Sequence, residues 1–179
     1  MAVIDSWDSL AHELLIQRLA SGSRVRLTII TKSMAPFLLP GDRLLLAKVA
    51  VELLGVGDLV AIAAQPCPIV HRIVIAPSRE GGQPLVTKGD AGATFDRLFP
   101  PEAVLGRVVS VQRNDKVLAL TVHSARCGAS LLAWLSCRCV SAGNVSVSSL
   151  RRVMFSLLRR TMYIVSAIVW SIGQRHPGC

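Results

Sequence analysis

The sequence predicts a mainly β protein with a helix at its N-terminal end and a helical tail at its C-terminal end. Of its 179 residues, 51% are hydrophobic and 17% are charged, which excludes a disordered chain. Short runs rich in Val, Ile and Leu recur between Gly and Pro turns, which is typical of an antiparallel β domain. We divide the chain into a helix at 1–22, a β domain at 23–123 and a basic apolar tail at 124–179.

The N-terminal segment, residues 5–21, is predicted to be an amphipathic helix. Leucines fall near helical spacing at Leu10, Leu14, Leu15 and Leu19. The candidate N-terminal caps are Asp5, Ser6 and Ser9, and Gly22 provides the stop. Because Asp5 and Asp8 stand where a secretory signal peptide carries basic residues, we expect no such signal here.

The β domain is predicted from apolar runs that turn residues separate. The predicted strands are 24–31, 43–49, 59–63, 69–76, 104–112 and 117–122. The turn signals between them are Pro40-Gly41-Asp42, residues 55–58, Gly81-Gly82 and Asn114-Asp115.

The tail combines apolar helical segments with a strong positive charge. Residues 117–179 hold seven arginines and no acidic residue, and helices are expected at 129–140 and 150–173 with a small-residue linker at 143–149. Aromatic residues that favour a membrane interface occur at Trp134, Tyr163 and Trp170. One interpretation is a membrane-surface or partly inserted helical pair, with the side of the membrane unassigned. The other is a helical hairpin packed on the β domain. We expect no nucleic-acid partner, because the arginines alternate with large aliphatic residues.

The cysteines do not indicate a metal site. The chain has five, Cys67, Cys127, Cys137, Cys139 and Cys179, and their spacing forms no paired zinc motif. The Cys137-x-Cys139 pair fits small buried thiols better than a redox site. We therefore expect no metal and no cofactor, and a reducing environment.

Three short segments carry the residues for nucleophilic catalysis. In chain order they supply the Ser33 hydroxyl, the His71 imidazole and the carboxylates of Asp90 and Asp96. These are a nucleophile, a general base and a group that orients the base. Each residue also has an ordinary interpretation: a turn serine, a packed strand histidine, and aspartates that form a turn or bind an arginine. Their order and spacing together favour a catalytic set.

The ordered motifs resemble the superfamily of signal peptidases and self-cleaving repressors. The matching segments are Ser33-Met34-x-Pro36, Pro40-Gly41-Asp42, Gly57-Asp58-Leu59-Val60, Val70-His71-Arg72-Ile73-Val74, Thr87-Lys88-Gly89-Asp90 and Leu105-Gly106-Arg107-Val108-Val109. The resemblance covers about residues 24–113 and implies the compact β fold of that superfamily. The chain departs from the pattern at Lys32 and Ala35, and the helix at 5–21 stands where a membrane-spanning helix usually precedes the serine.

The resemblance also implies roles for individual residues. His71 stands where bacterial-type members have lysine, so the chain resembles the Ser/His members of the archaeal, endoplasmic-reticulum and sporulation types. Ser33 would be the nucleophile and His71 the base, with Asp90 or Asp96 orienting it. The oxyanion would be held by the Ser33 N–H and by Thr31, which an extended segment would place on the same side; Thr31 is equally consistent with a plain strand threonine. The other bases considered are not expected to serve: Lys32, Lys48 and Lys88.

The expected activity is that of a serine endopeptidase that cleaves a leader-like or partner protein after small residues. One alternative is a catalytically silent module of the same fold that binds an extended peptide beside a sheet edge. Another is self-processing, for which the candidate bonds are Ala91-Gly92, Cys127-Gly128 and Ala142-Gly143.

Overall fold

The computed structural model is a mainly antiparallel β-sheet with helices packed on it. It describes residues 9–64, 67–77, 84–120, 128–135, 137–138, 148–172 and 174–175. The strands are β1 Val25–Thr28, β2 Arg43–Ala47, β3 Leu59–Ile62, β4 Ile69–Ile75, β5 Leu85–Lys88, β6 Leu98–Phe99, β7 Val104–Arg113, β8 Lys116–Ala119 and β9 Gln174–Arg175. The α-helices in this part of the chain are α1 Ser9–Ala20, α2 at 128–135 and 137–138, and α3 Ser148–Ile172. Single 3₁₀ turns lie at Val51–Leu53 and Pro101–Ala103.

The strands pair in the order β1-β2-β7-β3-β4-β5-β6, and β8 joins β7 to β9. Strand β7 is the longest of the described strands, and it links two halves of the sheet. One edge of β7 pairs with β2, and the other pairs with β3 near Val104 and with β8 near Arg113. The site strands β4 and β5 therefore lie on one side of β7, and β1 lies at the far edge of the other.

The structure confirms the β-rich architecture and changes its details. Each of the six predicted strands is present, although most end one to three residues early. Strands β5, β6 and β9 were not predicted. In β5 the sequence Leu-Val-Thr-Lys is buried at all four positions. Because Thr87 and Lys88 are polar, the segment lacks the apolar run from which a buried strand is predicted. Predicted features at Asp5, Ser6, Gly81-Gly82 and 121–122 lie outside the described residues.

The buried face of helix α1 is narrower than the spacing of its leucines predicts. Leu15 and Leu19, one turn apart, are buried in the core, whereas Leu14 is exposed. The helix ends as expected at Gly22, which has a positive φ of 77°. The Ser23 N–H reaches back to the Arg18 carbonyl, which closes the last turn.

Strand β1 stops at Thr28 and not at Thr31 because the chain turns towards Asp42. The Ile29 N–H donates to the Asp42 carbonyl, and the Gly41 N–H donates back to the Ile29 carbonyl. Asp42 itself accepts from the Leu39 N–H and from Arg113 on β7. These bonds close the segment between β1 and β2 into a loop, and Ser33 lies in that loop.

The tail packs on the β domain through α3. Met162, Val169 and Trp170 are buried in the same core as the β-sheet leucines. The Trp170 indole N–H donates to the Phe37 carbonyl at 3.1 Å, and Arg113 stacks over the Trp170 ring. Gly128 of α2 lies against Val169. These contacts agree with the second interpretation of the tail, a helical unit packed on the sheet.

The length and hydropathy of the helices bear on the membrane interpretation. Within the part of the chain that the structure describes, no helix is both long and apolar enough to cross a bilayer. The proposed linker at 143–149 lies mostly outside the described residues, and Ser148 already belongs to α3.

Candidate active site

Ser33 lies in the loop between β1 and β2, where two contacts hold it. Its carbonyl oxygen accepts a hydrogen bond from the Ala91 N–H at 2.9 Å. Its hydroxyl is 3.2 Å from the Thr31 hydroxyl. The two side chains lie on the same side, as expected, although the backbone between them bends and is not extended.

His71 lies on β4, and the structure brings Asp96 to it. The His71 Nδ1 is 2.6 Å from Asp96 Oδ2. The same oxygen accepts a hydrogen bond from the Thr87 hydroxyl at 2.7 Å, and the Asp96 N–H donates to the Thr87 carbonyl. Because an ionised carboxylate only accepts, Nδ1 carries the proton in this contact, and the neutral form of the ring then has its lone pair on Nε2.

The electrostatics around Asp96 favour its ionised form. Partial burial acts to raise the pKa of this carboxyl, but the hydrogen bonds from His71 and Thr87 outweigh it. The positive charge of Lys88, and that of the His71 ring when it is protonated, act in the same direction as those bonds, so the pKa of Asp96 lies below its usual value. Asp96 is therefore a carboxylate at neutral pH and can hold the His71 ring in one tautomer.

Asp90, the other acid considered for this role, binds Arg72. Its Oδ1 accepts from Arg72 Nε at 2.9 Å and its Oδ2 from Arg72 Nη2 at 2.6 Å. Both side chains have no exposed surface. Arg72 also donates to the Gly57 carbonyl and lies over the Phe37 ring. The pair ties β4 to the turn after β5, and the structure assigns the contact with His71 to Asp96.

Gly89 lies where the Ser33 loop and the His71 ring come together. A methyl group built on this residue would lie 2.8 Å from the Ser33 carbonyl oxygen and 3.1 Å from His71 Nε2. The absence of a side chain thus lets the Ser33 loop and the His71 ring approach the same point of the backbone. Nε2 of His71, the ring nitrogen that faces away from Asp96, therefore lies beside the Ser33 loop.

The three lysines that are not expected to act as the base differ in their surroundings. Lys32 is exposed, and the Lys48 ammonium donates to the Val104 carbonyl. Lys88 is fully buried, and its ammonium donates to the Gly89 carbonyl at 3.0 Å. This bond braces the turn that precedes Asp90.

Ser33 and His71 open on one cleft of about 140 Å³. Its remaining walls are Leu27, Thr28, Ile29, Ile30, Thr31, Cys67, Pro68, Ile69 and Val70. One wall is the end of β1, the edge strand of the sheet, and the other is the start of β4. Since β4 pairs with β5 only from Arg72 onward, residues 69–71 border the cleft before that pairing begins.

The structure offers no metal cluster in its described part. There, no group of three or more His, Cys, Asp or Glu side chains is placed to hold an ion. Cys67 lines the cleft, and burial raises the pKa of the half-buried Cys137 thiol despite the opposing charge of Lys88. Cys127, Cys139 and Cys179 lie outside the described residues.

Two residues of the site were missed at the level of sequence. Thr87 and Gly89 lie in the Thr87-Lys88-Gly89-Asp90 motif, in which only Lys88 and Asp90 were considered for a role. Alternation along β5 was the available signal, since it predicts that Thr87 and Gly89 face one side and Lys88 the other.

Comparison with known proteins adds no family to this geometry. No protein-family model, no curated protein and no solved structure matches the chain. The argument for function therefore rests on the residues and their arrangement.

Proposed function

We propose that the protein is a serine endopeptidase with a Ser33/His71/Asp96 triad, similar in fold and motif order to the signal peptidases. The observation that carries the proposal is the 2.6 Å contact between His71 Nδ1 and Asp96 Oδ2 beside a cleft that Ser33 shares. A packed strand histidine needs no ionised partner and no neighbouring serine at a cleft.

In the proposed reaction, Ser33 Oγ attacks the carbonyl carbon of the scissile peptide and its proton passes to His71 Nε2. The tetrahedral intermediate collapses when the C–N bond breaks and His71 returns the proton to the leaving amine. Water then attacks the acyl-enzyme, again with His71 as base, which releases the acid and restores Ser33. Asp96 stabilises the imidazolium that forms in each half. A hydrogen bond between Ser33 Oγ and His71 Nε2 is expected to form when substrate binds.

The oxyanion of the intermediate needs two donors, and Ser33 and Thr31 supply them in this proposal. The Ser33 N–H is one, and the Thr31 hydroxyl, 3.2 Å from Ser33 Oγ, is the other. Loss of one such donor costs about a hundredfold or more in kcat. Thr31→Val should therefore lower kcat on that scale, whereas Thr28→Val, on β1 beside the same cleft, should not.

The shape of the cleft supports an extended peptide with small side chains as substrate. A volume of about 140 Å³ is well below the roughly 300–1,000 Å³ of sites that take larger ligands. The walls are mostly aliphatic, and the edge of β1 offers backbone groups to an added strand. Small apolar residues next to the cut, as the motif resemblance implies, fit this space.

The same cleft also supports the second candidate, a silent module that binds an extended peptide. Binding beside β1 needs only the sheet edge and the aliphatic walls, not His71 or Asp96. The peptidase requires His71 for turnover, whereas the silent module has no turnover and binds peptide without His71. This difference distinguishes the two functions.

The deciding experiment is cleavage of a peptide library, read by mass spectrometry, for the wild type, Ser33→Ala and His71→Ala. The triad predicts cleavage after small residues that falls about a thousandfold or more in both variants. Matched controls are Ser110→Ala on β7 and His12→Ala on α1, which should cleave as the wild type does. Peptide binding by all five proteins with cleavage by none would support the silent module instead.

Self-processing is tested by the same proteins. Of its candidate bonds, Ala91-Gly92 lies in the described turn that holds Ser33, where the Ala91 N–H is already bonded to the Ser33 carbonyl. Cys127 and Ala142-Gly143 lie outside the described residues. A truncated product in the wild type that is absent from Ser33→Ala would favour self-processing.

A further inference from the structure

Helix α3 has two faces, and only one of them is used by the fold. Its inner face buries Met162, Ser166, Val169 and Trp170 against the sheet and the Ser33 loop. The opposite side, which we call the outer face, exposes Leu157, Ile164 and Ile168. Arg160 and Tyr163 are exposed at its border, and Arg159 is exposed in line with the buried residues.

The outer face carries three exposed aliphatic residues, with the exposed Thr161 between the first two. Leu157, Ile164 and Ile168 are 56%, 60% and 48% exposed, and spacings of seven and four residues align them on one side of an α-helix. Surface helices of globular proteins normally place polar residues there. A line of exposed aliphatic residues with flanking arginines is typical of a helix that lies in a membrane interface.

The adjoining helix α2 repeats this combination. Leu131 and Trp134 are exposed, and Arg138 lies 5.0 Å from the Trp134 ring. Tryptophan, tyrosine and arginine are the side chains that favour the boundary between lipid headgroups and acyl chains.

From these observations we propose that the outer face of α3 binds the surface of an anionic lipid bilayer, with α3 lying parallel to it. The positive charge of the tail favours an anionic bilayer over a second copy of the chain. Residues 117–179 carry seven arginines and no acid, so pairing two copies through α3 would bring arginines together without a counter-charge. An anionic headgroup layer supplies that counter-charge while the aliphatic line enters the acyl boundary.

Binding in this manner would hold the candidate active site close to the lipid surface. The inner face of α3 contacts the loop that contains Ser33, through Trp170 and the Phe37 carbonyl. The inference does not depend on the peptidase proposal, because lipid binding requires neither Ser33 nor His71.

The test is flotation of the full-length protein with vesicles of phosphatidylcholine alone or with about 30% phosphatidylglycerol. The wild type should float with the anionic vesicles, and binding should weaken as NaCl rises from about 50 to about 500 mM. Ile164→Ser/Ile168→Ser should bind about tenfold or more weakly. Arg159→Gln/Arg160→Gln should lose about tenfold on anionic vesicles.

The matched control is Leu53→Ser/Leu98→Ser, which removes two aliphatic side chains that are even more exposed but lie outside α2 and α3. It should bind as the wild type does, and so should Arg24→Gln/Arg26→Gln, which removes one arginine just before β1 and one on it. Thermal unfolding of each variant establishes that it is folded.

Three outcomes would overturn the proposal. They are a wild type that does not float with anionic vesicles, α3 variants that float as well as their controls, and a dimer in light scattering that Ile164→Ser/Ile168→Ser dissociates. The last result would assign the outer face to a second copy of the chain.

Discussion

His71 Nδ1 and Asp96 Oδ2 are 2.6 Å apart, and Asp96 Oδ2 also accepts a hydrogen bond from the Thr87 hydroxyl. The contact spans two elements, since His71 lies on β4 and Asp96 follows β5. Thr87 fixes the carboxylate from β5 itself. The ring is thus oriented from the neighbouring strand, with Nε2 directed towards Gly89 and the Ser33 loop.

Replacing Asp96 by Asn should lower kcat by about 10³–10⁴-fold, because the amide can present a donor to Nδ1 and stabilise the wrong tautomer. Steady-state kinetics on a cleaved library peptide measure the effect. Asp115→Asn, in the exposed turn between β7 and β8, is the matched control and should retain full activity. An Asp96→Asn variant as active as this control would remove Asp96 from the mechanism.

The pKa of Asp96 predicts how stability depends on pH. Because the pKa of the folded carboxyl lies below the ordinary 3.8, the unfolded state binds more protons as the pH falls through that range. The carboxylate therefore stabilises the fold fully above about pH 4, and this contribution is lost as the pH drops through the folded pKa. In urea unfolding, the stability difference between wild type and Asp96→Asn should shrink as the pH is lowered below 3.8. A constant difference would contradict the depressed pKa.

Gly89→Ala should separate the nucleophile from the base. The added methyl group would lie 2.8 Å from the Ser33 carbonyl oxygen, so the loop must shift. A displacement of about 1 Å costs roughly a hundredfold in rate. We expect a loss of kcat on that scale in a folded protein. Gly55→Ala, whose methyl group meets nothing within 4 Å, should leave kcat unchanged; equal rates for both variants would refute the close approach.

Breaking the buried Arg72–Asp90 pair should destabilise the fold more than breaking a more accessible ion pair. Asp90→Asn leaves the Arg72 guanidinium buried beside a neutral amide, which typically costs about 3–5 kcal/mol. The longer and more accessible pair of Arg107 and Asp58, at 3.6 Å with side chains 21% and 13% exposed, is the comparison, and Arg107→Gln should cost about 1 kcal/mol or less. Urea unfolding measures both, and similar costs for the two variants would contradict the burial argument.

Trp170→Phe should destabilise the fold, because it removes the indole N–H that donates to the Phe37 carbonyl. We expect the free energy of unfolding to fall by about 1–3 kcal/mol. Trp134→Phe, at an exposed position of α2, should change it by about 0.5 kcal/mol or less. If both variants unfold alike, α3 does not hold the Ser33 loop.

Local signals predicted much of the fold. Gly22 ends α1, and Pro40-Gly41-Asp42 forms the turn before β2. The apolar runs around Leu59 and His71 become β3 and β4. Turn chemistry and the alternation of side chains are properties of neighbouring residues, so these elements can be recognised without knowing what packs against them.

The sequence by itself therefore determined the β-rich class, the positions of six of the strands and the set of polar residues from which a catalytic site could be built. Only the tertiary structure decided which acid meets His71. Asp90 and Asp96 both follow β5, and the register of β5 on β4 turns Asp90 towards Arg72 and brings Asp96 to the ring. It also decided that α3 packs on the sheet, since an apolar stripe fits a core and a bilayer equally well. Both choices depend on residues far apart in the chain, whose contacts no local pattern encodes.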